Sequence, residues 1–150
     1  MSFVRIRQGH ALDAVAVSGL VQQVYQPFSA DFPPTALKWT SAAVRALPAS
    51  WLLAHDENKL VGVVRQGPDP EGHTLDSLAV ATEWRRRGIG TALVAAVEEL
   101  AVAACARQMI IALRDVLAAN TAFFTALDYR MARPLPPHHH IFTKEIGTSL

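Results

Sequence analysis

The chain has 150 residues, 51% of them hydrophobic and 18% charged, with a formal net charge of +1. That size and hydrophobicity suit one packed domain over 1–150, held without disulfides or a structural metal, and exclude an intrinsically disordered chain. A net charge so near zero excludes a broadly basic nucleic-acid binder, so any electropositive site is local.

The first element is "FVRIRQ", whose alternation of apolar and polar residues predicts a half-buried strand. "ALDAVAVSGLVQQVYQ" follows, with Leu12, Val15, Leu20, Val21 and Val24 at roughly helical spacing. "QPFSADFPPTALKWTS" holds three prolines and reads as a loop with a short helix from about Pro34. "SAAVRALP" predicts a second short helix that stops before Pro48. "SWLLAHDE" and "KLVGVVRQ" flank the turn-like "DENK" and predict an antiparallel hairpin. "GPDPEG" is a further turn by composition, and "HTLDSLAVA" a third strand.

Residues 88–106 carry Ile89, Leu93, Val97, Leu100 and Ala104 as the apolar stripe of a helix. Glu98 and Glu99 interrupt that apolar run, which argues against a membrane span. The single cysteine, Cys105, is expected as core filler, and an unpaired thiol suits a reducing compartment. "MSFVRIRQGH" lacks the apolar stretch of a secretory signal, so a cytoplasmic protein is expected. "QMIIAL" predicts a short buried strand, "AANTAFFTALDYR" a helix to about Leu127, and "MARPLPPHHHIFTKEI" a proline-rich turn with the last strands. The order is β-α-(α)-β-β-β-α-β-α-β-β, an α/β or α+β sheet with helices on its faces.

The seam between the third strand and the long helix reads "RRRGIGT", from Arg85 to Thr91. A helix starting there has amide groups without intrahelical partners, whose partial positive charge attracts anions. Gly88 and Gly90 let a ligand approach the backbone, and Arg85, Arg86 and Arg87 offer forked, charge-assisted hydrogen bonds to phosphate. Three cations at the positive end of a helix dipole are unfavourable unless an anion joins them. A dinucleotide-binding fingerprint fails because Leu93 stands where its last glycine or alanine belongs, and the lysine of a P-loop is absent.

"LDSLAVATEWRRRGIGTALV" resembles the signature segment of the GNAT superfamily of N-acetyltransferases, Arg/Gln-x-x-Gly-x-Gly/Ala between a strand and a helix. "NTAFFTALDY" resembles that family's second block, in the right order and at a fitting distance. The resemblance implies a mixed central sheet of about seven strands splayed in a V, with about four helices, and acetyl-CoA as cosubstrate. It implies that Leu78, Ala79 and Val80 pair with the pantetheine arm and that an amide among them polarises the acetyl carbonyl. Arg85, Arg86, Arg87, Gly88, Ile89, Gly90 and Thr91 would hold the pyrophosphate, with Asn120 and Phe124 near the arm. Asn120 also reads as a helix N-cap. The amine would attack directly, without an acyl-enzyme.

An amine with a lysine-like pKa is only about 0.04% neutral at pH 7, so loss of its proton matters. Asp76 is the first candidate base and His73 the second, with Glu71 nearby and water as the alternative. Relatives carry a tyrosine in the second block that can protonate the departing thiolate. Phe124 occupies that position here and Asp128 that of a glycine. Tyr129 and Tyr25 are the only tyrosines: the first reads as the start of a strand, the second as an outside candidate for the acid. Consecutive His138, His139 and His140 alternate in direction on a strand and do not form a metal site, although they suit the rim of a substrate opening.

Phe28, Phe32, Trp39 and Asp31 in the loop after the first helix favour an amine carried on an apolar or aromatic body. The expected function is acetyl transfer to a primary amine of a small molecule or peptide. The alternative is an acyl-CoA-binding sensor or accessory subunit with little turnover. Neither nucleic acid nor membrane is an expected partner, and a homodimer is compatible with the sequence.

Overall fold

The computed structural model describes residues 4–30 and 34–147. Strands β1 (Val4–Gln8), β2 (Trp51–Asp56), β3 (Lys59–Asp69), β4 (Gly72–Val80), β5 (Gln108–Arg114), β6 (Arg130–Leu135) and β7 (His139–Glu145) form one sheet. Their order is β1-β2-β3-β4-β5-β7-β6. Helices α1 (Ala14–Tyr25), α2 (Ser41–Ala46), α3 (Ile89–Ala103) and α4 (Ala118–Ala126) complete the set. The sheet is mixed: β4 and β5 are parallel, paired at His73 and Met109, whereas β1–β2, β2–β3, β5–β7 and β6–β7 are antiparallel. Seven strands and four helices are the α/β architecture expected from the sequence.

The chain divides into two compact units, the first made of residues 1–66 and 76–97, the second of 67–75 and 98–150. In the first, α1 buries Ala14, Val17, Leu20 and Val21 in a cluster with Val44, Trp51, Leu53 and Val63. Leu12 and Val15, predicted to share that stripe, are 90% and 67% exposed. Residues 11–13 form a 3-10 turn, so the α-helical phase begins only at Ala14. The cluster also takes in Ala79 and Ala81 at the end of β4. Gly62 of β3 sets the approach of α3: a Cβ there would lie 2.9 Å from Ile89 Cγ2 and 3.0 Å from Leu93 Cδ1. The missing side chain thus lets the start of the helix sit against the strand.

In the second unit β5 is paired along its length with β7, and Met109, Ile111, Tyr129 and Phe142 are buried. Cys105 is exposed, against the expectation of a core residue. It stands beyond the end of α3 with φ 65°, while the amides of Cys105 and Ala106 donate to the carbonyls of Val102 and Ala101. That is a Schellman termination, which turns the residue at its left-handed position outward. No described helix is long and apolar enough to cross a membrane.

Candidate functional site

The seam is built as an open helix start. Arg85 is extended, Arg86 takes φ 63° and Gly88 φ 81°, so two left-handed residues curl the backbone ahead of α3. The first helical bond runs from the amide of Ala92 to the carbonyl of Gly88. The amides of Ile89, Gly90 and Thr91 therefore have no acceptor within the helix. A Cβ on Gly88 would meet nothing within 4 Å, which leaves room for a ligand against the backbone. Arg85, Arg86 and Arg87 are exposed. The Arg87 guanidinium lies 4.6 Å from the ring centre of Trp84, an aromatic support that the sequence pattern did not signal. Open amides, a glycine without a neighbour and three guanidiniums suit a diphosphate.

Upstream, β4 breaks its regular course at Ser77, which takes φ 53°. Positive φ at a serine inside a strand is uncommon, and it re-aims the groups that follow. Asp76, just before it, accepts from Arg65 through both oxygens: Nε donates to Oδ1 at 2.9 Å and Nη2 donates to Oδ2. Ser77 Oγ donates to Asp76 Oδ1 at 2.8 Å. Arg65 in turn lies 4.7 Å from the ring centre of Trp39. The carboxylate is oriented and still partly exposed, with its side chain at 41%.

Leu78, Ala79 and Val80 follow the break, with Ala79 buried and the other two half-buried. The amide of Ala81 donates to Val61 of β3. By strand alternation the Leu78 carbonyl and the Val80 amide face away from β3. Tyr25, the last residue of α1, donates its hydroxyl to that Leu78 carbonyl at 2.6 Å. Burial, and after it the charge of Asp76, push the Tyr25 phenol up to about 12, with Arg85 acting in the opposite sense. No local pattern announces a contact that joins residues so far apart in the chain.

His73 is buried within the second unit, and burial holds its pKa below the usual value, so the ring is neutral at pH 7. Asn120 is not the N-cap of α4. The helix starts at Ala118 with Leu117 at the cap, and the Asn120 amide donates to the Leu117 carbonyl within the first turn. Phe124 is buried, edge-on to Phe123 and Tyr129 at 5.0 and 5.3 Å between ring centres. Tyr129 is fully committed: its hydroxyl donates to Glu98 at 2.7 Å, and Lys144 reaches both oxygens of the same carboxylate. Burial first, then Glu98, raise its pKa. Asp128, at the position of the family's glycine, has φ 73° in a second Schellman turn, the geometry that glycine serves best.

His140 Nδ1 lies 2.6 Å from Asp115 Oδ1, while His139 pairs with Arg114 on β5. Among the described residues no three His, Cys, Asp or Glu side chains gather as metal ligands. In the loop after α1, Phe28 packs near Tyr25 at 6.4 Å and Trp39 lies edge-on to Trp51 at 5.5 Å. Asp31 and Phe32 lie outside the described residues.

Residues 18–129 match the model of the Acetyltransferase (GNAT) family. The fold is similar to that of the PaiA N-acetyltransferase from Thermoplasma acidophilum in complex with coenzyme A, with a TM-score of 0.84 at 11% identity, covering 95% of this chain and 99% of that one. It is also similar to the ribosomal-protein-S18-alanine N-acetyltransferase from Escherichia coli, with a TM-score of 0.77 at 17% identity, covering 98% and 96%. Ard1 from Thermoplasma volcanium gives 0.75 at 17%, covering 95% and 97%. At these identities the likeness is one of fold. Comparison with curated proteins gives no match.

Proposed function

The chain belongs to the Acetyltransferase (GNAT) family, and from that premise we propose that it moves an acetyl group from acetyl-CoA directly to a primary amine of a small molecule or peptide. The observation that carries the reading is the open start of α3, where Ile89, Gly90 and Thr91 present unpaired amides behind the left-handed turn at Arg86 and Gly88. The diphosphate of acetyl-CoA binds there, backed by Arg85, Arg86 and Arg87. The pantetheine arm runs along Leu78, Ala79 and Val80, and the Val80 amide polarises the acetyl carbonyl. Asn120 and Phe124 are assigned to the arm by family resemblance.

Asp76 serves the acceptor. Its oriented, partly exposed carboxylate attracts the amine in its ammonium form and fixes its approach. His73, neutral at pH 7, is the alternative group for taking the amine's proton. The aromatic loop residues Phe28 and Trp39 suit an amine on an apolar body. A second reading, an acyl-CoA sensor with little turnover, draws on Phe124, which has no proton to give to a departing thiolate.

The test is release of free thiol from acetyl-CoA in the presence of polyamines, aminoglycosides, aromatic amines and peptide α-amines, with CoA binding measured by calorimetry. Binding with turnover supports the transferase. Binding without turnover on any acceptor supports the sensor. No binding at millimolar CoA removes both.

A further inference from the structure

We propose that Tyr25 is a catalytic residue of acetyl transfer: its hydroxyl, set at the Leu78 carbonyl on the edge of β4 turned away from β3, relays the amine's proton to the departing sulfur. The inference rests on the acetyltransferase reading and adds a residue to it. Three observations meet at this hydroxyl. It is held at 2.6 Å from a carbonyl on the strand segment assigned to the thioester arm. Opposite charges act on it, the Asp76 carboxylate raising its pKa and the Arg85 guanidinium lowering it. Finally, the other tyrosine, Tyr129, is tied to Glu98.

The chemistry needs one such group. When the amine adds to the thioester, nitrogen and sulfur are bonded to the same carbon, so a single hydroxyl can reach both. The nitrogen lone pair forms the new C–N bond. As the C–S bond breaks, its electron pair goes to sulfur. The Tyr25 proton moves to sulfur while the N–H proton moves to the Tyr25 oxygen, and the products are the acetamide and the CoA thiol. Tyr25 ends as it began; the extra proton of the ammonium form leaves to water or a base before attack, and the relay carries only the second one. A phenol pushed up to about 12 does not release its proton to a thiolate unaided. It does so when its oxygen is reprotonated in the same step, which favours a relay over a simple acid. Burial, and after it Asp76, keep the proton on the phenol at rest, and Arg85 stabilises the negative charge that develops in passage.

The experiment compares the parent with Tyr25→Phe in three measurements. Calorimetry with CoA should give dissociation constants within threefold of each other. Turnover of acetyl-CoA, with the best amine of the panel or with water as acceptor, should fall about 100-fold in kcat at unchanged KM. Ultraviolet titration of the thiol of bound CoA needs no acceptor at all. Its pKa should be about one unit higher in the variant, because the hydroxyl's hydrogen bond to the thiolate is gone. A thiol pKa that is the same in both proteins overturns the proposal, as does a kcat within threefold or a loss of CoA binding confined to the variant. A parent that fails to bind CoA removes the acetyltransferase reading itself.

Discussion

Single side chains divide into those whose role is local and those whose role depends on a distant partner. Gly88 is local: φ is 81° and no atom lies within 4 Å of where its Cβ would stand. Gly88→Ala should therefore cost about 1 kcal/mol, from backbone conformation alone. CoA affinity should fall more than tenfold, because the new methyl occupies the phosphate approach. Thermal melts and calorimetry read the two effects separately, and unchanged CoA affinity would take the diphosphate away from this turn. Asp76 is the opposite case. Asp76→Asn removes the charge from the fork to Arg65, and because the pair is partly exposed its stability should drop by less than about 1 kcal/mol. If the carboxylate places the amine, KM for the acceptor rises while CoA binding is unchanged, and the pH profile keeps its shape. A lost basic limb would make Asp76 the base instead. The arginines and glycines of the seam were legible because their chemistry lies in seven adjacent residues. Arg65 was legible in principle: a charge in an apolar strand needs a partner, and Arg65 and Asp76 are equidistant from the turn at Pro70 and Glu71. Tyr25 stood out only as an outside candidate for the acid, and nothing near it signalled its partner, which lies 53 residues away.

Elements were more legible than their ends. The sequence located all four helices and the β2–β3 hairpin, by the apolar spacing of α1 and α3, by Pro48 as the stop of α2 and by a turn-like stretch between two apolar runs for the hairpin. The ends are set by hydrogen bonds that periodicity does not report. Asn120 looked like a cap and sits inside α4, and Cys105 looked like core and terminates α3. The two Schellman turns give a prediction at this scale. Cys105 and Asp128 are exposed and hold φ at 65° and 73°, so a side chain there adds strain and gains no packing. Cys105→Gly and Asp128→Gly should each stabilise the protein by up to about 1 kcal/mol, seen as a higher Tm. Gly62→Ala should do the reverse. Its methyl would stand 2.9 Å from Ile89 Cγ2, so α3 has to shift or Ile89 has to leave its rotamer. The expected loss is about 1–3 kcal/mol, with weaker CoA binding because the start of α3 moves. A Gly62→Ala protein with parental Tm and affinity would mean that the helix start is not fixed by this contact.

At the scale of the whole molecule, titration sets a window of stability. His55, His73 and His139 all have pKa values below 6.5, in each case first because burial disfavours the charged ring. Between those folded values and 6.5 the unfolded chain binds more protons, so stability rises with pH there. Their contribution is present above about 6.5 and is lost as pH falls through the folded values. Asp13 follows at lower pH. The fork from Arg7, whose nitrogens lie 2.7 and 2.8 Å from its oxygens, holds it at about 2, so its contribution is present above 3.8 and lost as pH falls through about 2. At the other end the phenols act with the opposite sign. Tyr25 is pushed up to about 12 and Tyr129 is raised further, so above 10.0 the unfolded chain gives up protons that the fold keeps. Stability then falls as pH rises. The expected profile of Tm is a plateau from about pH 6.5 to 10 with a decline on both sides. His73→Gln should flatten part of the acid limb and Tyr25→Phe part of the alkaline limb, each without moving the other. A Tm that holds level from pH 7.5 to 5.5 would show that the three histidines titrate as freely in the fold as in the open chain.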